Sequence, residues 1–489
     1  MEPGDKMEGR KSLTIVQLND SHAYFDLHQE IFWQGGHAVY RPAGGYARIA
    51  TLVEQIRANN SQSHTLFCDC GDTLHGTYPA LRTQGQILIP TLNSLGLDAM
   101  TAHWEFAYGP KAFQQLASTL NYPMLALNIY YKETRNLVFP AYTVKEVGGL
   151  RIGLIGIACN IVDKTMPPPY SEGIYFTLGR EELPLVIDLL RSQEKVDLIV
   201  LISHLGFPQD MKLLSEVPGI DVCLSGHTHN RLYQPIVQGK ALIIQSGCHG
   251  SFLGCLDLEI EDGQMISYRH QLIEVEASIK PDPGIEDLVR KAVAPYEDNL
   301  AEIVGETATA LNRGTILEST MDNFILQAVM ESTEAQLAFS NGWRYGAPVA
   351  PGKVTLNDLY NMVPMNPPIS TVELTGEEIL MMLEENLEQT FSGDPYHQMG
   401  GYVKRCLGLH VYFKIENPPG YRIQKLFIGE EEVQPDRYYT AAFITMQGIP
   451  KKYGRNRENR SEWIIDALRA YLARHRPLLA ELRSTFVVV

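Results

Sequence analysis

Apolar and polar positions along the first half of the chain alternate between two periods. Leu13-Thr-Ile-Val-Gln-Leu18 reads as a strand, and Gly45 to Ala58 follows with Ile49, Leu52, Val53 and Ile56 at helical spacing. Thr65-Leu-Phe-Cys68 is the next strand. Leu150–Ile157, Val196–Ile202 and Ile220–Leu224 continue the series, with a helix at Glu181–Arg191 between the first two. Leu242–Gln245 and a hairpin over Gly254–Ile273 close it. Near-continuous apolar strands alternating with helices predict sheets covered on both faces, the signature of a layered α/β core.

The pattern breaks at Lys280-Pro-Asp-Pro-Gly284, a turn-rich stretch. An amphipathic helix over Ile285–Ile303, interrupted at Pro295, follows it. The predicted organisation is a polar tail at 1–12, a first domain at 13–280, a connector helix at 281–305 and a second α/β domain at 306–489. In the second domain helices are expected at Thr320–Ser332 and Thr375–Leu387, and strands at Gly408–Ile415, Arg422–Ile428 and Tyr438–Ile444.

Composition narrows the picture. At 489 residues, 45% hydrophobic and 20% charged, the chain is of ordinary globular type with room for more than one core. A net charge of −16 argues against a nucleic-acid partner, which calls for a basic surface. The start of the chain lacks an export-type apolar stretch, and no window reaches the length of a membrane span, so a cytoplasmic protein is expected. Seven thinly spread cysteines do not form a disulfide framework, and Cys68 and Cys70 read as buried thiols.

The chemistry lies in five short segments after predicted strands: Asn19-Asp20-Ser21-His22, Cys70-Gly71-Asp72, Ala102-His103, Ser203-His204 and Gly226-His227-Thr228-His229. Each piece alone is weak, since a lone Asp-x-His is more often surface polarity than a ligand. Five of them in separate loops of one half are not. Loops at the carboxyl ends of strands are where open α/β sheets build their sites. Two carboxylates and five imidazoles form a mixed oxygen and nitrogen set suited to two divalent ions such as Mn or Zn. Seven ligands with one shared would fill two sites and leave positions for water and substrate.

These segments, in this order, resemble the motifs of calcineurin-like metallophosphoesterases, and the arrangement is similar to the 5′-nucleotidase branch. The resemblance extends over nearly the whole chain, with Val363-Pro364 and Val372-Glu-Leu-Thr-Gly376 matching the second domain. It implies a four-layer β-sandwich flanked by helices, followed by a 5′-nucleotidase-type C-terminal domain that selects the substrate and closes over the site. It also implies that Asp20, His22, Asp72 and His229 hold one ion, while Asp72, His103, His204 and His227 hold the other. Asp72, His103 and His204 are then the residues expected to carry catalysis.

Departures from the family pattern matter as much. Where the family reads Gly-Asn-His-Glu-Phe-Asp, this chain has Ala102-His103-Trp104-Glu105-Phe106-Ala107. His103 replaces an Asn ligand and remains competent. The family's His and Asp, which assist the leaving group, have become Trp104 and Ala107. General-acid help is worth roughly 10²–10⁴-fold, so hydrolysis of simple mononucleotides should be slow unless His249 or His75 substitutes. Met100-Thr-Ala-His-Trp-Glu-Phe106 instead resembles the thiosulfohydrolases of bacterial sulfur oxidation, a subgroup whose sulfur leaving group needs little protonation. Ala338-Phe-Ser340, Asp394-Pro-Tyr396 and Gly400-Gly401 match that subgroup too.

For substrate binding, the family's base-stacking aromatics have no clear counterparts. Met365 and Tyr402 stand in as candidates, with Tyr396 as another. Arg344, after Asn341-Gly342, is the candidate for gripping an anionic group; Arg313 is nearby but out of register. The leading expectation is a dinuclear-metal hydrolase of a phosphoester or nucleotide-like small anion, with no membrane contact and no identified protein partner. Alternatives are thiosulfohydrolase-like hydrolysis of a sulfur-linked sulfonate, and a metal-containing binding or regulatory protein with reduced turnover.

Overall fold

The computed structural model describes residues 10–60 and 64–489. They divide into two compact units: the described residues up to His28 with Pro42–Ala294, and Gln29–Arg41 with Pro295–Val489. The small excursion is a hairpin of strands His28–Gln34 and His37–Ala43. Its two strands pair with each other, and Ala43 adds a single bridge to Glu276.

The first unit is built on two sheets. One orders its strands Gln264–Glu274, Phe252–Glu261, Arg10–Leu18, Thr65–Asp69 and Ala99–Met100. Its last three strands run parallel, and Arg10–Leu18 pairs antiparallel with Phe252–Glu261. The other orders Ile236–Gln238, Ala241–Ile244, Val222–Ser225, Leu198–Ser203, Leu150–Ile157 and Tyr142–Val147, parallel through its four central strands. Period-two alternation explains the apolar runs. Ile152, Leu154, Leu198, Val200 and Ile202 face the core shared with Leu13, Ile15 and Leu66 of the first sheet. Ile155, Ile157, Ile199 and Leu201 face the opposite way, onto Leu183, Ile187, Leu190 and Leu213 of the covering helices. Each central strand is therefore apolar on both faces, as expected for a four-layer α/β sandwich.

In the second unit the main sheet orders Tyr402–Leu407, Leu337–Gly342, Tyr438–Ile444, Pro368–Thr375 and Arg455–Trp463, with a smaller sheet of Glu431–Glu432, Ile423–Ile428, Leu409–Phe413 and Phe486–Val488. Several of these strands escape the sequence pattern. Arg455–Trp463 is an exposed, strongly charged edge strand, the kind that blunts a sheet edge and so hides its own signal. The expected interruption at Pro295 is absent: the helix Pro283–Leu300 continues through it. Proline removes only the bond to the carbonyl of Lys291, and the helix tolerates that single loss. Among the described residues no helix is long and apolar enough to cross a membrane.

Candidate metal centre

The ligand-bearing residues sit one to four positions beyond strand ends. Asp20 and His22 follow Arg10–Leu18, Asp72 follows Thr65–Asp69, His103 follows Ala99–Met100, His204 follows Leu198–Ser203, and His227 and His229 follow Val222–Ser225. Backbone bonds stitch these loops together, with Asp20 N–H donating to the Gly71 carbonyl, His22 N–H to that of Asp72 and His204 N–H to that of Ile157. Gly71 permits a close approach: a Cβ there would lie 2.8 Å from the Thr101 carbonyl, and its φ is +88°.

Five of the seven residues, Asp20, His22, Asp72, His227 and His229, have φ between 48° and 71°. Left-handed backbone is uncommon for residues other than glycine, though Asp and His tolerate it best. Strain of this kind persists where surrounding structure enforces it, and it clusters at functional sites.

The seven side chains fall into two groups that share Asp72. In one, ligand atoms of Asp72, His103, His204 and His227 all lie within 4.8 Å of one another; in the other, those of Asp20, His22, Asp72 and His229 do. His204 donates from Nδ1 to the Cys70 carbonyl at 2.5 Å, which leaves Nε2 bearing a lone pair. That atom lies 3.2 Å from Asp72 Oδ2 and 3.6 Å from Asp20 Oδ1, without hydrogen-bond geometry. His22 donates from Nδ1 to the His75 carbonyl, and its Nε2 faces His229 Nε2 at 3.3 Å. His229 Nε2 is 3.2 Å from Asp20 Oδ1, and His103 Nδ1 is 3.2 Å from Asp72 Oδ2.

At His204 acceptor thus faces acceptor, and positive charge is needed between them, whereas His103 Nδ1 donates to Asp72 Oδ2. Protons could supply it: burial disfavours charged His204, but the Asp72 and Asp20 carboxylates outweigh it and lift this imidazole to about 10. Divalent ions do so more fully. Asp20, Asp69, Asp72 and Glu105 are all at most 2% exposed, and no Lys or Arg is buried in this unit among the described residues. These carboxylates, with the equally buried Asp210, have no buried cationic side chain to answer them, and two divalent ions would supply positive charge there. The oxygen and imidazole donors fit that pair, and binding would release the protons.

Groups around the ligands hold them in place. Asn19 Nδ2 donates to Asp20 Oδ2 at 2.8 Å, and His227 N–H donates to the same carboxylate. Asp210 accepts from Ser203 and Ser225, 2.6 Å each, tying the ends of the two strands that deliver His204 and the His227–His229 pair. Burial pushes the Asp69 carboxyl up to about 8, although Thr73 and Gly71 hydrogen-bond it. Asp69 and Glu105 went unrecognised in the sequence. Their signal was a carboxylate inside an apolar run, Phe67-Cys-Asp69 and Trp104-Glu-Phe106, where an unpaired charge is costly.

Trp104 occupies the wall beside this cluster. Its backbone N–H donates to Asp72 Oδ1 at 2.7 Å, and its ring stacks on His75, centroids 5.1 Å apart. His75 is fully buried, and burial drives its pKa down to about 4, which keeps the ring neutral. His249 donates its N–H to the Asp20 carbonyl, and its ring lies 6.0 Å from His22.

The expected substrate residues lie in the second unit. Asn341, at the end of the Leu337–Gly342 strand, is held by Gln447 and Thr445. Arg344 donates to the Gly401 carbonyl at 3.0 Å, and its guanidinium lies 5.6 Å over the Tyr402 ring. Arg344 and Tyr402 come together, and Asn341 precedes Gly342, which pairs with Tyr402. Met365 is 43% exposed on the loop after Leu356–Met362 and is held by none of these contacts. Arg313 is 1% exposed and paired with Asp322 Oδ1 at 3.0 Å; the same carboxylate pairs with Arg405, which the sequence did not single out.

A layered α/β sandwich with opposed carboxylates and imidazoles at its strand ends defines a hydrolase of the metal-dependent phosphoesterase class. Residues 13–231 match the calcineurin-like phosphoesterase family and residues 300–447 match the 5′-nucleotidase C-terminal domain. The chain thus carries a calcineurin-like phosphoesterase domain followed by a 5′-nucleotidase C-terminal domain, the pairing of a metal-dependent hydrolase. It is similar to the snake venom 5′-nucleotidase of Naja atra, at 26% identity over 86% of this chain and 85% of that protein. It is 23% identical to the trifunctional nucleotide phosphoesterase of Bacillus subtilis over 87% of this chain, but spans only 30% of that protein's length. The sulfate thiohydrolase SoxB of Thermus thermophilus, solved with glycerol, superposes with a TM-score of 0.90 at 25% identity, covering 98% of this chain and 96% of that one.

Proposed function

We propose that the chain hydrolyses a small phosphoester or nucleotide-like anion whose leaving group departs without protonation. The observation that carries this reading is the shared-Asp72 cluster with Trp104 stacked beside it. Two divalent ions, Mn or Zn in type, would supply activated water and stabilise the charge of the transition state. Asp20, His22, Asp72 and His229 would hold one, and Asp72, His103, His204 and His227 the other. Trp104 carries only an indole N–H donor and Ala107 no polar atom, so neither can protonate a leaving alkoxide.

Residues 13–280 would carry this chemistry, 281–305 would connect, and 306–489 would select the substrate. Arg344, with Asn341, Tyr402 and Met365, would grip its anionic part. Seven free, buried cysteines support a reducing, cytoplasmic setting.

A second reading, hydrolysis of a sulfur-linked sulfonate, is favoured by Trp104 together with the close superposition on a sulfate thiohydrolase. One panel separates the two: an aryl phosphate, AMP, a nucleotide anhydride and a thiosulfonate, each assayed with Mn or Zn. The aryl phosphate and the anhydride should exceed AMP by about 10²-fold or more. Equal rates on the aryl phosphate and AMP would contradict it. A thiosulfonate rate above all phosphoesters would favour the second reading.

A further inference from the structure

Glu105 is a fully enclosed carboxylate beside the centre that belongs to neither ligand group. It is fully buried, and both its oxygens are committed to backbone donors. Oε1 accepts from Thr73 N–H at 2.7 Å and Leu74 N–H at 3.2 Å, while Oε2 accepts from His103 N–H at 2.7 Å. One side chain therefore clamps the loop after Thr65–Asp69 to the loop after Ala99–Met100. Asp72 reinforces the same joint, since its Oδ1 accepts from Trp104 N–H.

The two loops deliver Asp72 and His103, which lie 3.2 Å apart. Neither loop is regular structure here, and Asp72 has φ of 57°. Nothing in ordinary backbone preference fixes the separation of the two residues. We propose that Glu105 is a positioning residue that sets the Asp72–His103 spacing and thereby the affinity of the ion held with His204 and His227. This inference rests on the dinuclear reading above. Partners that orient ligands of this kind are worth roughly 10–100-fold in metal affinity.

Glu105→Gln keeps the length of the side chain but replaces one acceptor with a donor, so at least one of the three backbone bonds is lost. Manganese titration of the metal-free full chain, followed by calorimetry, reads the result. Wild type should bind two ions; in Glu105→Gln one should weaken about 10–100-fold while the other shifts less than about threefold. His103→Ala should weaken the same ion, and the double variant should bind no worse than His103→Ala alone, because Glu105 acts through His103. Metal-free thermal unfolding within a few degrees of wild type separates this from a folding defect. Should Glu105→Gln not fold, Glu105→Asp, which keeps the charge but cannot span both loops, should show the same selective loss. Unchanged affinity for both ions in the folded variant, equal weakening of both, or full additivity with His103→Ala would overturn the assignment. A wild type that binds fewer than two ions would instead overturn the dinuclear reading itself.

Discussion

Both units bury charge, and they resolve it in different ways. The first encloses Asp20, Asp69, Asp72, Glu105 and Asp210 with no buried Lys or Arg among the described residues. The second encloses Arg313, Lys404, Arg405 and Arg422 together with Glu30, Glu318, Asp322 and Glu384. In the second unit each cation is satisfied from within. Asp322 takes Arg313 and Arg405, Lys404 donates to the Gln447 and Gly448 carbonyls, and Arg422 pairs with Glu388 at 2.7 Å. In the first unit carboxylates and imidazoles face one another across a gap that only added positive charge can close. A buried charge set that is complete holds a fold together, whereas one left incomplete marks where a ligand belongs.

The largest effect that could break this comparison is Asp72→Ala. It removes the one group common to both clusters, so turnover should fall by at least ~10³-fold on the best substrate, with loss of both ions on equilibrium dialysis. Retained turnover would refute sharing. Next in size is Asp322→Ala in the second unit, which strands two buried guanidiniums. Urea unfolding should show about 3–5 kcal/mol of destabilisation, while metal stoichiometry stays unchanged. A change in stoichiometry would show that the two charge systems are not separate in kind.

Lys404 sharpens the contrast through pH. Burial lowers its pKa from 10.5 to about 8. Between those values the unfolded chain retains a proton that the fold has released, so stability rises with pH across that window and is flat below it. The gain amounts to roughly 3 kcal/mol. Lys404→Met should erase this slope, and chemical denaturation at pH 7, 8.5 and 10 of both proteins checks it. A wild-type stability that falls between pH 8 and 10 relative to the variant would have the wrong sign. The smallest effect is expected from Arg344→Lys, which loses the planar guanidinium stacked over Tyr402. KM should rise about 10-fold with kcat nearly unchanged, as initial-rate kinetics would read. A fall in kcat alone would move Arg344 out of substrate binding.

What the sequence showed depended on how each feature is encoded. Strands apolar on both faces, such as Leu150–Ile157 and Leu198–Ser203, announce themselves, and so do the ligand-type residues that follow them. Arg455–Trp463 did not, because its charged, exposed residues carry no apolar alternation. Leu337–Gly342 did not either, its short run ending in Asn341-Gly342. Around the centre, Asp and His types at strand ends were legible, but their left-handed backbone and the pairing of their nitrogens were not. Glu105 lay in plain view inside Trp104-Glu-Phe106, yet its role depends on three backbone N–H groups from two loops that only the fold brings together. Arg405 is similar: only the folded chain places it on the Asp322 carboxylate that already holds Arg313.

The central claim is that the incomplete charge set of the first unit is completed by two divalent ions. Metal analysis of the full chain after reconstitution with excess manganese and desalting tests it directly. The account predicts two ions per wild-type chain and a loss of both in Asp72→Ala. One ion or none in the wild type, or two retained in Asp72→Ala, would contradict it.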